Sequence, residues 1–282
     1  MYPIAAVEAM KRKLAAHGVA VRELDIPLED LDTTVSESGG AELLEPFAVV
    51  RVERTGETQF REFVDGVQVC RVVFRWHGVP CYYGRAVAVR LKRDETRHLR
   101  RVAHDSVEHF MTPFVLYTDE SVAVLRDLGF VDVDGEAGAN SLIATARNRM
   151  ERRLAREAAA WCIVDGSRAD IHNPLVVGVS KQIGMHLPVE TMRTVLNIRV
   201  GERTSVFRLP TEHGTLSFYM RLFDRRGDTP HFGLVRVTVA ADAPVSVDTV
   251  AQWLMTETRP LATDTHNVLY PMEVVERYAR AL

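Results

Sequence analysis

The sequence has little cysteine and no long apolar run, and both shortages limit what the chain can be. Its 282 residues include three cysteines, with no CxxC pair and no His/Cys spacing suited to zinc. We therefore expect buried, reduced thiols rather than a disulfide framework. No stretch approaches about 18 uninterrupted apolar residues, so we expect no membrane span. The first residues carry basic side chains after an apolar run, the reverse of a signal peptide, and predict a cytoplasmic protein.

The chain also lacks an excess of positive charge and the common nucleotide and nucleophile motifs. Its formal net charge is -3 and its pI is about 6.4. Any nucleic-acid site must therefore be a local basic patch on a neutral to acidic body. No GxGxxG, P-loop or GxSxG sequence occurs, which disfavours a metabolic α/β enzyme of those types.

What the sequence does contain is alternation typical of a sheet, interrupted by helical patterns. Strands are predicted within 59–93, where His77–Gly78 supplies a turn, and then at WCIVDGS, at PLVVGVSK, and at about 195–200, 204–209, 215–223 and 232–240. Helices are predicted at 2–18, 94–111, 119–129, 141–160 with Ser141 as its cap, 247–257 and 272–282. This order predicts a mixed α/β (α+β) fold, with residues 1–45 as an N-terminal helical appendage and 46–282 as the main domain.

Two aspartates occupy equivalent places in this pattern. FVDGVQ at 63–68 and IVDGSR at 163–168 both place Asp-Gly after an apolar run. An aspartate at the tip of a buried strand can project into a cleft shared with its counterpart. Asp-Gly is also a common turn dipeptide, so a turn remains the alternative for either pair.

Converging carboxylates are what hydrolysis of phosphodiesters by two divalent metal ions requires. Hard cations such as Mn²⁺ or Mg²⁺ take oxygen ligands. Asp65 and Asp165 are the first candidates, and the helix between them offers Glu151, with Glu157 as second choice. Because Glu151 lies among arginines, an ion pair on an exposed helix face is the alternative for it.

Basic side chains cluster near these candidates. One run lies within 90–101, and a second within 147–156 contains five arginines. Such runs neutralise phosphates in some proteins and are simply solvated faces in others. Lys181 closes an apolar strand, so we expect it to have a partner or an anionic ligand. For Arg203 and Arg221, binding to phosphate and pairing with acids are equally open.

In order along residues 60–240, these segments resemble the NurA family of nucleases. The segments that carry the resemblance are FVDGVQ, PCYYGRAVAVRLKR, MERRLARE, IVDGS, LVVGVSK, GERTSVF, SFYMRLFD and FGLVRVTV. The resemblance implies a ribonuclease H-like core, a central mixed sheet flanked by helices. It also implies a homodimer, manganese-dependent DNA cleavage and partnership with a HerA-type hexameric ATPase. By position it implies metal binding by Asp65, Glu151 and Asp165.

The sequence departs from that family at two places. The family has a histidine after a YP element near its C-terminus, whereas Tyr270-Pro271 is followed by none, and His266 and Glu276 are the nearby candidates. Thr238 stands where relatives commonly have an acidic residue.

Two hypotheses follow from these residues. The first is a DNA nuclease acting in DNA-end processing or phage defence. Its catalytic set is Asp65, Glu151, Asp165, Lys181 and His266, and its DNA-binding set is Arg149, Arg152, Arg203 and Arg221. The second is a degenerate NurA-like module that binds DNA or an ATPase hexamer without cleavage.

Overall fold

The structure is a computed structural model that describes residues 4–18, 40–181, 183–184, 186–224, 231–258 and 269–282. The helices in this part of the chain are α1 (Ile4–Ala16), α2 (Asp119–Asp127), α3 (Gly135–Arg156), α4 (Val189–Val195), α5 (Val247–Thr256) and α6 (Tyr270–Ala281). The strands are β1 (Glu42–Leu43), β2 (Val49–Arg51), β3 (Glu62–Trp76), β4 (Val79–Arg93), β5 (Leu99–Thr112), β6 (Val131–Asp132), β7 (Cys162–Asp165), β8 (Val176–Ser180), β9 (Glu202–Thr204), β10 (Phe207–Arg208), β11 (Thr215–Arg221) and β12 (Leu234–Ala240).

All twelve strands join one mixed sheet. Its order is β1-β10-β11-β12-β8-β7-β3-β4-β5-β6, and β2 and β9 pair beside β11. β3, β4 and β5 form an antiparallel meander, while β7 and β8 run parallel to β3 on its other side. The mixed α/β class predicted from the sequence is confirmed.

Helices cover the two faces of this sheet, and successive residues of β3 show how. Phe63 belongs to a core cluster that includes Val250 of α5 and Val275 of α6. Val64 belongs instead to a cluster that includes Ile143 and other side chains of α3. Because side chains alternate along a strand, β3 is the middle of three layers, with α3 on one face and α5 and α6 on the other. Within the described residues, no helix combines the length and apolar content needed to span a bilayer.

The helix predicted at 94–111 is wrong, because most of it is strand β5. The Asp94 carboxylate accepts hydrogen bonds from the backbone N–H of Thr96 and of His98, and Arg97 has a φ of 66°, so the chain reverses there into a hairpin. β5 then pairs with β4 from Leu99 to Met111. Most of its side chains are only partly covered, so its sequence does not alternate cleanly between apolar and polar residues.

Two smaller predictions also differ from the structure. Residues 195–200 do not form a strand; they lie at the end of α4 and in the turn after it. Helix α3 begins at Gly135 rather than at Ser141, and Asp134 is its N-cap residue. Gly135 and Gly138 in the first turn are poor helix formers, but packing of the rest of α3 on the sheet overrides that preference.

Candidate active site

Asp65 and Asp165 lie side by side on neighbouring strands. β3 and β7 are parallel and in register, with Val64 opposite Val164, and each aspartate is the next residue along its strand. Neighbouring strands lie about 4.8 Å apart. Asp65 is 5% exposed, whereas the Asp165 side chain is 36% exposed. The repeated apolar-apolar-Asp-Gly pattern therefore corresponds to one position on two adjacent strands.

The two Asp-Gly pairs differ in backbone conformation. Gly166 has a φ of 85°, and there the chain leaves the sheet, as in a turn. Gly66 instead pairs with Ala88 within the continuous strand β3. A Cβ atom on Gly66 would lie 2.5 Å from Oε1 of Glu151 and 2.9 Å from the carbonyl oxygen of Val87. Glycine is therefore needed at position 66 because a carboxylate of α3 packs directly on the strand.

Lys181 follows β8, the strand beyond β7. Its Nζ lies 3.2 Å from Oδ1 of Asp165. Burial lowers the pKa of Lys181, but the charges of Asp165, Asp65 and Glu276 outweigh burial, and its pKa is raised overall. The partner expected for this lysine is thus Asp165, and the ammonium stays charged.

The carboxylates of this site oppose one another's ionisation. Burial raises the pKa of Asp65 well above its ordinary value, and the charges of Asp165 and Glu151 raise it further, against Lys181 and the Gly66 N–H. Burial also raises the pKa of Glu151, to about 7, and Asp165 adds to this effect, while Arg147 opposes it from 3.4 Å. We call Asp65, Glu151 and Asp165 the carboxylate cluster, in which acids repel one another although Lys181 and Arg147 pair with two of them.

The carboxylate cluster has the donor chemistry of a divalent-cation site. All its donors are oxygens, and a hard cation would relieve the repulsion that raises two of the pKa values. Among the residues that the structure describes, no three His, Cys, Asp or Glu side chains are close enough together to hold a metal ion. The residues therefore fit such an ion by chemistry, and binding would require their side chains to draw together.

Helix α6 brings a fourth acid to the same region. Asp65 is two residues after Phe63, so alternation directs it to the face covered by α5 and α6. Glu276 of α6 is among the charges that raise the pKa of Lys181, and it pairs with Arg280 at 2.7 Å. His266 lies outside the described residues.

Glu157, the second choice for the helix ligand, lies elsewhere. It follows the last residue of α3, and its carboxylate lies 3.8 Å from Nη2 of Arg90. Glu151 is one of the buried acids of the chain, whereas the Glu157 side chain is 54% exposed. The structure therefore places Glu151 against Gly66, the residue after Asp65, and leaves Glu157 at the solvent-exposed end of the helix.

Two of the four arginines proposed for DNA binding are used inside the fold. Arg203 is 7% exposed and donates to Asp248 at 2.6 Å and to the carbonyl oxygen of Thr204. Arg221 is 1% exposed and donates to three backbone carbonyl oxygens, those of Leu196, Ile198 and Phe232. A buried guanidinium needs such acceptors. We therefore remove Arg203 and Arg221 from the DNA-binding set and assign them structural roles.

Sequence reasoning missed a network of hydrogen bonds that holds the loop after Asp165. Ser167 donates to Glu212 at 2.9 Å, and Glu212 receives a two-pronged pair from Arg236 of β12. The backbone N–H of Arg168 donates to Oγ1 of Thr238. These residues come from three distant segments and share no motif, so only the folded chain brings them together. Thr238 accepts a hydrogen bond from this loop.

A comparison of this chain with models of known protein families gives no match, and a comparison with curated proteins gives none either.

Proposed function

We propose that this chain is a metal-dependent DNA nuclease of the NurA type, with a ribonuclease H-like core. A ribonuclease H-like fold has one aspartate on its first central strand, another on a neighbouring strand, and a carboxylate from a helix. The observation that carries the proposal is the in-register pairing of β3 and β7, which sets Asp65 beside Asp165. Glu151, packed on Gly66, is the matching helix carboxylate.

In this proposal Asp65, Glu151 and Asp165 hold Mn²⁺ or Mg²⁺. A bound ion of this kind activates water and stabilises negative charge on a phosphate. Lys181 stays protonated, orients Asp165 at 3.2 Å and adds positive charge beside the phosphate. The Gly66 N–H donates to Oδ1 of Asp65 at 2.7 Å and fixes that carboxylate. His266 keeps its proposed catalytic role, with Glu276 as the alternative at this end of the chain.

The resemblance extends the proposal beyond the site. We propose a cytoplasmic homodimer that receives DNA from a HerA-like hexameric ATPase and acts in DNA-end processing or phage defence. A second candidate is a NurA-like module that binds DNA or the hexamer without cutting. The pairing of Lys181 with Asp165, which neutralises part of a metal-binding set, favours this second candidate.

Cleavage of end-labelled DNA with Mn²⁺ tests the nuclease directly. We expect the wild-type protein to cleave and Asp65→Asn to lose at least about 100-fold in rate, since it removes an essential ligand. Asp127→Asn, on the exposed end of α2, is the matched control and should cleave normally. Cleavage by Asp65→Asn at the wild-type rate would contradict the nuclease proposal. A wild-type protein that binds DNA without cutting it would favour the non-cleaving module.

A further inference from the structure

The outer face of α3 carries an open groove of about 370 Å³, separate from the carboxylate cluster. Its lining comes from one helix face: Thr145, Asn148, Arg149, Arg152 and Arg156. Twelve residues of helix span about 18 Å, so this lining is long enough to contact more than one phosphate of a strand. We call it the α3 groove.

The α3 groove is rich in hydrogen-bond donors and poor in acids. Arg152 lies 3.3 Å from a carboxylate oxygen of Asp170, and Arg156 donates to the carbonyl oxygen of the same residue. Arg149 is exposed and contacts no acid among the residues that the structure describes. Of the three guanidinium groups along the groove, only that of Arg152 lies against a carboxylate in the described part of the chain, and that carboxylate, on Asp170, is on a side chain that is 70% exposed. Such a surface favours an anion.

The remaining two arginines of α3 are used differently. Arg147 lies 3.4 Å from Glu151, and Arg153 lies 2.6 Å from Asp105 of β5. The run of five arginines in the sequence is therefore split: two pair with acids, one on α3 itself and one on β5, and three lie along the groove. The three arginines along the groove are therefore candidates for phosphate binding, and the other two are used in ion pairs; the sequence alone could not distinguish the two groups.

The α3 groove and one member of the carboxylate cluster, Glu151, are carried by the same stretch of helix. Asn148 and Arg152 are three residues before and one residue after Glu151 on the same helix. Three helical residues rise about 4.5 Å, so the groove lies at the height of Glu151 along α3, while the Glu151 side chain itself turns inward onto Gly66. The charge of Arg152 is also among those that act on Glu151.

We propose that the α3 groove binds the phosphate backbone of the nucleic-acid strand and leads it to the carboxylate cluster, an inference that rests on the proposed nuclease function. Guanidinium groups match phosphate oxygens in a two-pronged geometry. The lining contains no aromatic ring on which bases stack, so the groove contacts the backbone and is indifferent to sequence.

Fluorescence anisotropy with a labelled oligothymidine tests this in EDTA, where no metal-dependent cleavage occurs. We expect Arg149→Ala to weaken binding about threefold to tenfold and to flatten the salt dependence by about one contact. Arg149→Glu should weaken binding more. Arg193→Glu, on the exposed face of α4, is the matched charge reversal. It should change binding less than about twofold, because salt screens a surface charge that does not contact the strand. Circular dichroism checks that each variant is folded.

The outcomes separate the groove from the nuclease. Binding by Arg149→Glu as tight as that of Arg193→Glu would overturn the groove, and so would a wild-type protein that binds no oligothymidine. If Asp65→Asn abolishes cleavage while Arg149→Glu neither binds more weakly nor cleaves more slowly, the nuclease stands and the groove fails. If no variant or wild-type protein cleaves, yet Arg149→Glu alone loses binding, the groove stands and the nuclease fails.

Discussion

Buried charged groups meet only complementary partners around β11 and β12, whereas at the carboxylate cluster they also face like charges. Arg236 and Glu212 form a two-pronged pair in which both side chains are about nine-tenths buried. Arg221 donates to three backbone carbonyl oxygens. At the carboxylate cluster, by contrast, Asp65 and Glu151 both have raised pKa values because burial and neighbouring acids oppose their ionisation. Among the described residues, only at the carboxylate cluster do buried acids also raise one another's pKa values, and such mutual repulsion marks a candidate functional position.

The largest effect on stability should come from the region around β11 and β12. Arg221→Ala removes the donor for three buried carbonyl oxygens and leaves a cavity. We expect a loss of about 4 kcal/mol in the free energy of unfolding, measured by urea denaturation. Arg208→Ala, at an exposed strand position, should lose less than about 1 kcal/mol. Equal losses in the two variants would show that Arg221 is not a structural residue.

Glu212→Gln should also destabilise the protein, by about 3 kcal/mol, because Arg236 then keeps a buried charge without its partner. The same denaturation experiment measures this change. A variant as stable as the wild type would contradict this prediction, because it would mean that Arg236 does not depend on the charge of Glu212.

Glu151→Gln should instead stabilise the protein, and only at a pH at which Glu151 of the wild type is ionised. The folded-state pKa of Glu151 is about 7, above its ordinary 4.5, so the folded protein holds the proton more tightly than the unfolded chain. Stability is therefore lost as pH rises from 4.5 through 7. In EDTA the variant should be about 2 kcal/mol more stable than the wild type at pH 8 and unchanged at pH 4. A destabilised variant at pH 8 would place Glu151 among the buried charges that complementary partners stabilise.

Gly66→Ala tests the comparison at a single contact, the one between β3 and Glu151 of α3. The new Cβ meets Oε1 of Glu151 and the carbonyl oxygen of Val87, so the helix carboxylate must shift. We expect a loss of about 1–3 kcal/mol and a larger proportional loss of cleavage, since Glu151 moves away from the aspartates. Gly56→Ala, where a Cβ atom would meet no atom within 4 Å, is a control for glycine substitution itself, although its φ of 78° adds strain. Full activity in Gly66→Ala would show that Glu151 need not pack on this strand.

Sequence patterns predicted the sheet best where one face is buried. The long strands β3 and β4, helix α3 and the strands carrying both aspartates followed from apolar alternation and helix formers. β5 was predicted wrongly because packing covers little of it, so neither face has to be apolar. The register of β3 and β7 lies in backbone pairing between segments about 100 residues apart, and no local pattern encodes it.

The candidate site divides in the same way. Asp65, Asp165 and Lys181 stood out because each ends or interrupts an apolar run. The reason for Gly66 could not be predicted, since it depends on where Glu151 of α3 meets the strand. The burial of Arg221 was equally hidden: an arginine in an alternating strand has the same local sequence whether it faces phosphate or backbone carbonyls.

Thermal denaturation with and without Mn²⁺ tests the central claim most directly, namely that the carboxylate cluster forms a divalent-cation site. A ligand that binds only the folded state raises the melting temperature. We predict that Mn²⁺ raises the melting temperature of the wild-type protein and of Asp127→Asn but leaves Asp65→Asn unchanged. Equal shifts in all three proteins, or no shift in any of them, would contradict the claim.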